Sequence, residues 1–206
     1  MQVQESPRNS NVGMDHFADT GSKLERAQDD GSLHRNFQGY STHAGAALLG
    51  FGTSAIGGFE ARTEAGTTSV YAQNPKNLAV YYRALDAGHL PTERGYMLTD
   101  EDRLRRHVIE RLLCDFELDF GAVEADFGTE AHTHLAGAFA GLQTLEALGV
   151  VRIEPGGLLV TERGRPFVRN VAMAFDAYLA PPAEPPSRER EPAPRTVPRP
   201  RYSQTV

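Results

Sequence analysis

The chain has 206 residues and weighs 22.5 kDa, which is room for one full domain or two small ones and too little for a large enzyme. With 40% hydrophobic and 23% charged residues most of it can bury a core, while a net charge of 21 minus 27, or −6, argues against a broad phosphate-neutralising surface. A single cysteine, Cys114, excludes an internal disulfide and cannot alone build a thiolate metal site, so a reduced, cytoplasmic setting is expected.

The polar leader MQVQESPRNSN lacks the apolar run of a secretion signal and is expected to be disordered, with order beginning near Gly13. No stretch reaches the roughly 18 apolar residues of a membrane span. From Gly13 to about Tyr71 the chain is rich in Gly and short apolar runs, which predicts short strands and irregular loops.

At Asn74-Pro75 the texture changes: Asn offers an N-cap oxygen and Pro presets the first helical φ. Leu78, Tyr81, Tyr82 and Leu85 follow at helical spacing as a predicted inward face, and Gly88 closes the helix. Thr99 and Asp102 have capping-box spacing at the start of a second helix, whose buried face should be Leu104, Val108, Ile109, Leu112, Leu113 and Phe116. Arg103, Arg106 and Glu110 lie on the opposite face. A short helix is predicted over 120–127 and a longer one over 130–148, with Leu135, Phe139, Leu142 and Leu145 inward and Gly149 as the stop. Pro155-Gly156-Gly157 then turns a hairpin in which glycine supplies a positive φ. A last helix over 165–179 should bury Phe167, Val168, Val171, Phe175 and Tyr178.

Residues 181–206 hold eight of the thirteen prolines, five Arg and three Glu, a composition that cannot order itself by burial. Without that tail, whose net charge is +2, residues 1–180 carry −8. Helices followed by a hairpin and a closing helix suggest a winged-helix arrangement. Between Leu112 and Val151, however, there is no Lys or Arg, while Asp115, Glu117, Asp119, Glu124, Asp126, Glu130 and Glu146 are acidic. A groove-entering helix of that charge would repel phosphate, so nucleic acid is not an expected partner.

Three stretches could carry chemistry. Asp15-His16, in Gly13-Met14-Asp15-His16-Phe17, is a weak signal, because neighbouring strand residues point to opposite faces. The polar run His34-Arg35-Asn36-Phe37-Gln38-Gly39-Tyr40 suits either recognition of a polar ligand or an ordinary turn. In Gly50-Phe51-Gly52-Thr53-Ser54-Ala55-Ile56-Gly57-Gly58, close glycines let the backbone approach a ligand, but neither the dinucleotide fingerprint nor a phosphate loop is present.

At these motifs the chain resembles the C-terminal portion of oxygen-independent coproporphyrinogen III oxidase, a radical S-adenosylmethionine (SAM) family. The resemblance runs from about Val12 to Leu179. Besides the first two stretches above it rests on Gly52-x-Ser54-Ala55-Ile56, Tyr71-Ala72-Gln73-Asn74, Arg105-Arg106-His107-Val108-Ile109, Cys114-Asp115-Phe116-x-Leu118-Asp119 and Arg169-Asn170-Val171-Ala172-Met173. It implies an α+β chain: a disordered leader over 1–12, the last strands of a radical SAM (βα) barrel over 13–73, a mainly helical winged-helix-like domain over 74–180, and the tail. It also implies SAM and a [4Fe-4S] cluster as cofactors and coproporphyrinogen III as substrate, with two propionates decarboxylated to vinyl groups to give protoporphyrinogen IX.

Gln38 and the backbone at Ile56 match family positions that contact a second SAM. No catalytic residue is assigned. The family's Cys-x-x-x-Cys-x-x-Cys is absent, and Cys114, on a predicted buried helix face, reads as a core residue. The expectation is therefore a truncated or mis-started form, inactive alone unless a separate chain supplies the cluster-bearing half of the barrel. Residues 13–73 should then be poorly ordered and proteolysis should leave a core from about Asn74. The alternative is a haem- or tetrapyrrole-binding chaperone of the same ancestry, with His16, His34 or His43 as an axial ligand. A winged-helix regulator stands third.

Overall fold

The computed structural model describes residues 9–179 except 15, 37 and 65; most of the predicted leader, the whole tail, Asp15 and Phe37 lie outside these described residues. The centre of the fold is α3, Asp100–Asp115, preceded in chain order by α1 (Lys23–Asp29) and α2 (Leu78–Asp86). It begins as the sequence dictates: the Thr99 side chain accepts from the Asp102 N–H while the Asp102 carboxylate accepts from the Thr99 N–H at 2.9 Å. Leu104, Val108, Leu112 and Leu113 face inward, and Phe116 ends the helix in a left-handed conformation with its ring buried.

Behind α3 come α4 (Phe120–Phe127), α5 (Ala131–His134) and α6 (Ala136–Ala147), then the final α7 (Val168–Met173). The predicted 130–148 helix is two helices, broken at Leu135, whose backbone leaves helical geometry (φ −98°, ψ 14°) while its side chain inserts fully into the core. The last helix is also shorter than its period suggested. A 3-10 turn at Arg165–Phe167 leads into α7, which stops at Met173, so Phe167 and Tyr178 are exposed instead of inward. Val168, Val171 and Phe175 remain in the core with Phe139, against whose ring Phe175 packs edge-on at 5.6 Å.

A three-stranded antiparallel sheet closes this unit. Strand β10 (Gly157–Val160) lies between β8 (Glu117–Asp119) and β9 (Val151–Glu154). Pro155-Gly156 makes the turn, yet neither Gly156 nor Gly157 has positive φ. What Gly157 supplies is a missing side chain: a Cβ there would lie 2.5 Å from the Leu118 carbonyl oxygen, so the β8–β10 pairing requires glycine.

The earlier part of the chain forms antiparallel ladders. Strand β1 (Asn9–Gly13) pairs with β2 (His16–Asp19), β3 (His34–Asn36) with β4 (Gly39–Ser41), and β6 (Gly66–Gln73) lies between β5 (Ile56–Thr63) and β7 (Arg94–Met97). Strand β1 already includes Asn9, ahead of the expected Gly13, and Val12 within it is buried, its carbonyl accepting from the Gln28 side chain at 2.8 Å. No closed barrel occurs among the described residues. Helix α2 starts at Leu78, with Asn77 rather than Asn74 as N-cap. None of its residues is fully buried: on the apolar face Tyr81 is half-buried, while Leu78, Tyr82 and Leu85 are exposed. No helix among the described residues is long and apolar enough to cross a membrane.

Candidate functional site

The polar run 34–40 is used mostly to dock. His34 Nδ1 pairs with the Glu110 carboxylate, which also accepts from the Arg35 backbone N–H at 2.9 Å. Tyr40 donates to the Leu113 carbonyl at 2.9 Å, and Arg111 reaches the carbonyls of Gly31 and Leu33 at 2.9 and 2.6 Å. The supposedly outer face of α3 is therefore a polar seam. Burial alone would raise the Glu110 carboxyl, but His34 and the Arg35 N–H outweigh it and hold it below the ordinary value. Further along, Arg106 pairs with Glu60 at 2.9 Å, and that carboxylate also accepts from the buried Ser69 hydroxyl at 2.9 Å. Several of the motif residues meet across this helix, which explains their spacing without assigning them chemistry.

Two residues stay outside the seam. Gln38 is exposed on the β3–β4 turn, its N–H held by Asn36 Oδ1 at 2.8 Å, and Ile56 opens β5 half-buried opposite Gln73. They lie on different sheets. Of the histidines, His16 packs edge-on to Tyr40 at 5.1 Å, His34 is committed to Glu110, and His43 is exposed.

The glycine stretch is a closed loop. Leu48 and Gly58 exchange backbone hydrogen bonds at 2.7 and 2.8 Å, and a Cβ on Gly50 would lie 2.9 Å from the Ile56 carbonyl carbon, so the two limbs touch. Inside the neck sits Asn74, buried, whose side-chain amide donates to the carbonyls of Gly50 at 3.0 Å and Gly52 at 2.9 Å. Its backbone N–H donates to Ala55 at 2.9 Å, and Pro75 accepts from Ser54 at 3.0 Å. Tyr81 accepts the Gly52 N–H at 3.1 Å. The sequence marked Asn74 as a helix cap and Tyr81 as part of a helical apolar repeat; the one available signal was Asn74's place beside Gln73 in a motif.

A separate cleft of about 280 Å³ lies between α3, β8 and α4, lined by His107, Arg111, Asp115, Glu117, Asp119 and Asp126. Burial pushes the Asp115 carboxyl up to about 6, with Arg111 at 2.7 Å opposing and Glu117 and Glu110 reinforcing the rise. Burial likewise pushes the Cys114 thiol up to about 12. With one buried, protonated thiol, and no cluster of three or more metal-ligating side chains among the described residues, the chain does not fit a [4Fe-4S] cluster.

Residues 98–167 match the HemN C-terminal domain family. The oxygen-independent coproporphyrinogen III oxidase of Pseudomonas aeruginosa is 40% identical over 168 residues, 82% of this chain and 35% of that protein. Those of Synechocystis sp. and Thermostichus vulcanus are 42% and 43% identical, again over 82% of this chain and over 35% and 50% of their own lengths. A solved structure described as coproporphyrinogen III oxidase (HemN) from Escherichia coli, a radical SAM enzyme, aligns with a TM-score of 0.76 and 39% identity, covering 84% of this chain and 38% of that one. Over residues 98–167 the chain is thus similar in sequence to the HemN C-terminal domain, and its fold is similar to that of a solved HemN. More particularly, the chain matches the C-terminal part of oxygen-independent coproporphyrinogen III oxidase, and it spans between about a third and a half of the length of these relatives. Nothing in the comparisons supports the chaperone reading.

Proposed function

We propose that this chain acts as the C-terminal portion of a SAM-dependent oxidase that converts coproporphyrinogen III to protoporphyrinogen IX, with the [4Fe-4S] half supplied by polypeptide outside these 206 residues. The observation that carries the reading is the identity of about 40% to oxidases of this name across 82% of the chain. In this reading the cluster and SAM supply the radical that starts the oxidative decarboxylation of two propionates, and the protein orients the reactants. Gln38 contributes its side chain and Ile56 its backbone to a second SAM, and the reaction takes place in the cytoplasm.

The surface for the cluster-bearing half is the uncovered apolar face of α2 and the β5–β6–β7 sheet, where Phe59, Leu78, Tyr82, Leu85 and Met97 are all exposed. We place the boundary of the C-terminal domain near Leu98 rather than at Asn74, since β7 completes the sheet of β5 and β6.

The test is complementation. The chain is mixed anaerobically, under reducing conditions, with a reconstituted N-terminal half of the Synechocystis relative, SAM and coproporphyrinogen III. Protoporphyrinogen IX should form only with both halves present, and Gln38→Ala should lower its rate at least tenfold. No product from the mixture, while the intact relative turns over, would overturn the reading.

A further inference from the structure

We propose that Asn74 is a positioning residue: it holds the 50–56 loop in the single conformation that presents the Ile56 backbone to SAM. The proposal rests on the reading of Ile56 given above and adds a residue to it.

The loop cannot hold itself. Its tip carries Phe51, 83% exposed, and Ser54 in the left-handed region at φ +60°, a conformation unfavourable for a residue with a side chain. Such a backbone persists only where its surroundings over-determine it. Here the surroundings are chiefly the short segment 73–75, with the Tyr81 hydroxyl accepting from Gly52. Asn74 alone makes three of the hydrogen bonds, two through its amide to Gly50 and Gly52 and one through its backbone to Ala55. Pro75 accepts from Ser54, and the Gln73 side chain reaches the Ser54 carbonyl at a longer 3.4 Å.

Chemistry selects asparagine at this place. The group must donate twice to two carbonyls within about 3 Å and must be neutral, because a carboxylate would face two acceptors with nothing to give. The same segment continues β6, in which Gln73 pairs with Ile56. The clamp therefore fixes the loop relative to the residue it presents, and an error at Asn74 is transmitted to Ile56 through a loop with touching limbs. A displacement of about 1 Å at a binding group is enough to lose much of its contribution.

The experiment uses the full chain labelled with ¹⁵N, comparing wild type with Asn74→Asp and with Lys76→Ala as an exposed neighbour. Amide hydrogen exchange of residues 52–58 reports the loop, exchange of residues 104–113 reports the core, and titration with SAM to millimolar concentration reports binding through the Ile56 and Gly57 shifts. Expected for Asn74→Asp is loop exchange at least tenfold faster with the core unchanged, together with SAM affinity at least tenfold weaker, and neither change in Lys76→Ala. Unchanged loop exchange in Asn74→Asp overturns the positioning role whatever SAM does. A loop that opens while SAM affinity holds overturns it as well. If wild type gives no SAM-dependent shift at Ile56, the reading of Ile56 falls and takes the proposal with it, an outcome distinguishable from the other two because the exchange arm is read without ligand.

Discussion

On one side of the chain, residues 98–175 surround Leu112, Leu142 and Phe175, all wholly inaccessible, with two layers of their own helices and sheet. On the other, residues 48–97 leave Leu49, Phe51, Leu78, Leu90 and Met97 more than half exposed, and α2 joins the 50–56 loop through the Tyr81–Gly52 hydrogen bond. The first region buries its apolar surface against itself. The second has strands and a helix of ordinary quality and no core of its own, so its order depends on hydrogen bonds, which yield about 1 kcal/mol each in place of burial. Two regions with similar secondary structure can thus differ greatly in what a substitution does to them.

The largest contrast should come from truncating one leucine on each side. Leu112→Ala is expected to cost about 3 kcal/mol in urea unfolding, whereas Leu78→Ala, at a site 58% exposed, should cost under about 0.5 kcal/mol. Equal losses would show that α2 is covered after all. Next is the seam. Glu110→Ala strands the Arg35 N–H and the His34 ring, and should cost about 2 kcal/mol while exchange rises in residues 33–36 before it rises in α4 or α6. Simultaneous opening of both would mean that seam and core are one cooperative unit.

A smaller effect concerns Asp115. Its folded value of about 6 lies above the ordinary 3.8, so the protonated carboxyl favours the fold, and the stability it confers is complete below pH 3.8 and lost as pH rises through 6. Asp115→Asn, which does not ionise, should gain about 1 kcal/mol on the wild type between pH 4 and pH 8, allowing for water in the cleft. A constant difference across that range would remove burial as the cause. Smallest is Tyr81→Phe, which removes the acceptor of the Gly52 N–H. Loop exchange should quicken about threefold with no change in urea midpoint, in keeping with one partly buried bond of under about 1 kcal/mol that closes a local loop. A shift in midpoint would tie α2 to the global fold.

Helix α3 was legible because all its determinants are local: Thr99 and Asp102 at box spacing, then an apolar period that found its core. The break at Leu135 was not, since neither Gly nor Pro marks it and the kink comes from seating a side chain. Tyr178 kept the period of α7 but lies past its end, where its hydroxyl bonds to Asp102 at 2.8 Å and meets that of Tyr96 at 2.6 Å. At α2 the amphipathic pattern was read correctly and the burial was not, because a pattern states what a surface needs and not whether this chain supplies it. Gln38 and Ile56 were reachable only through resemblance. Asn74 escaped because its partners lie 22 and 24 residues away, and nothing local separates such a residue from a helix cap.

The small cluster beneath the seam has a practical consequence. Cys114 is wholly inaccessible, packed with Ala27 and Leu33 where α1 meets α3, and its carbonyl is held by the Gln28 side chain at 2.8 Å. As the chain's only thiol, protonated at physiological pH, it is alkylated only during moments when α1 lifts away. Its labelling rate is a stopwatch already installed in the native sequence, one that counts separations of the N-terminal hairpins from the helix without any engineered probe.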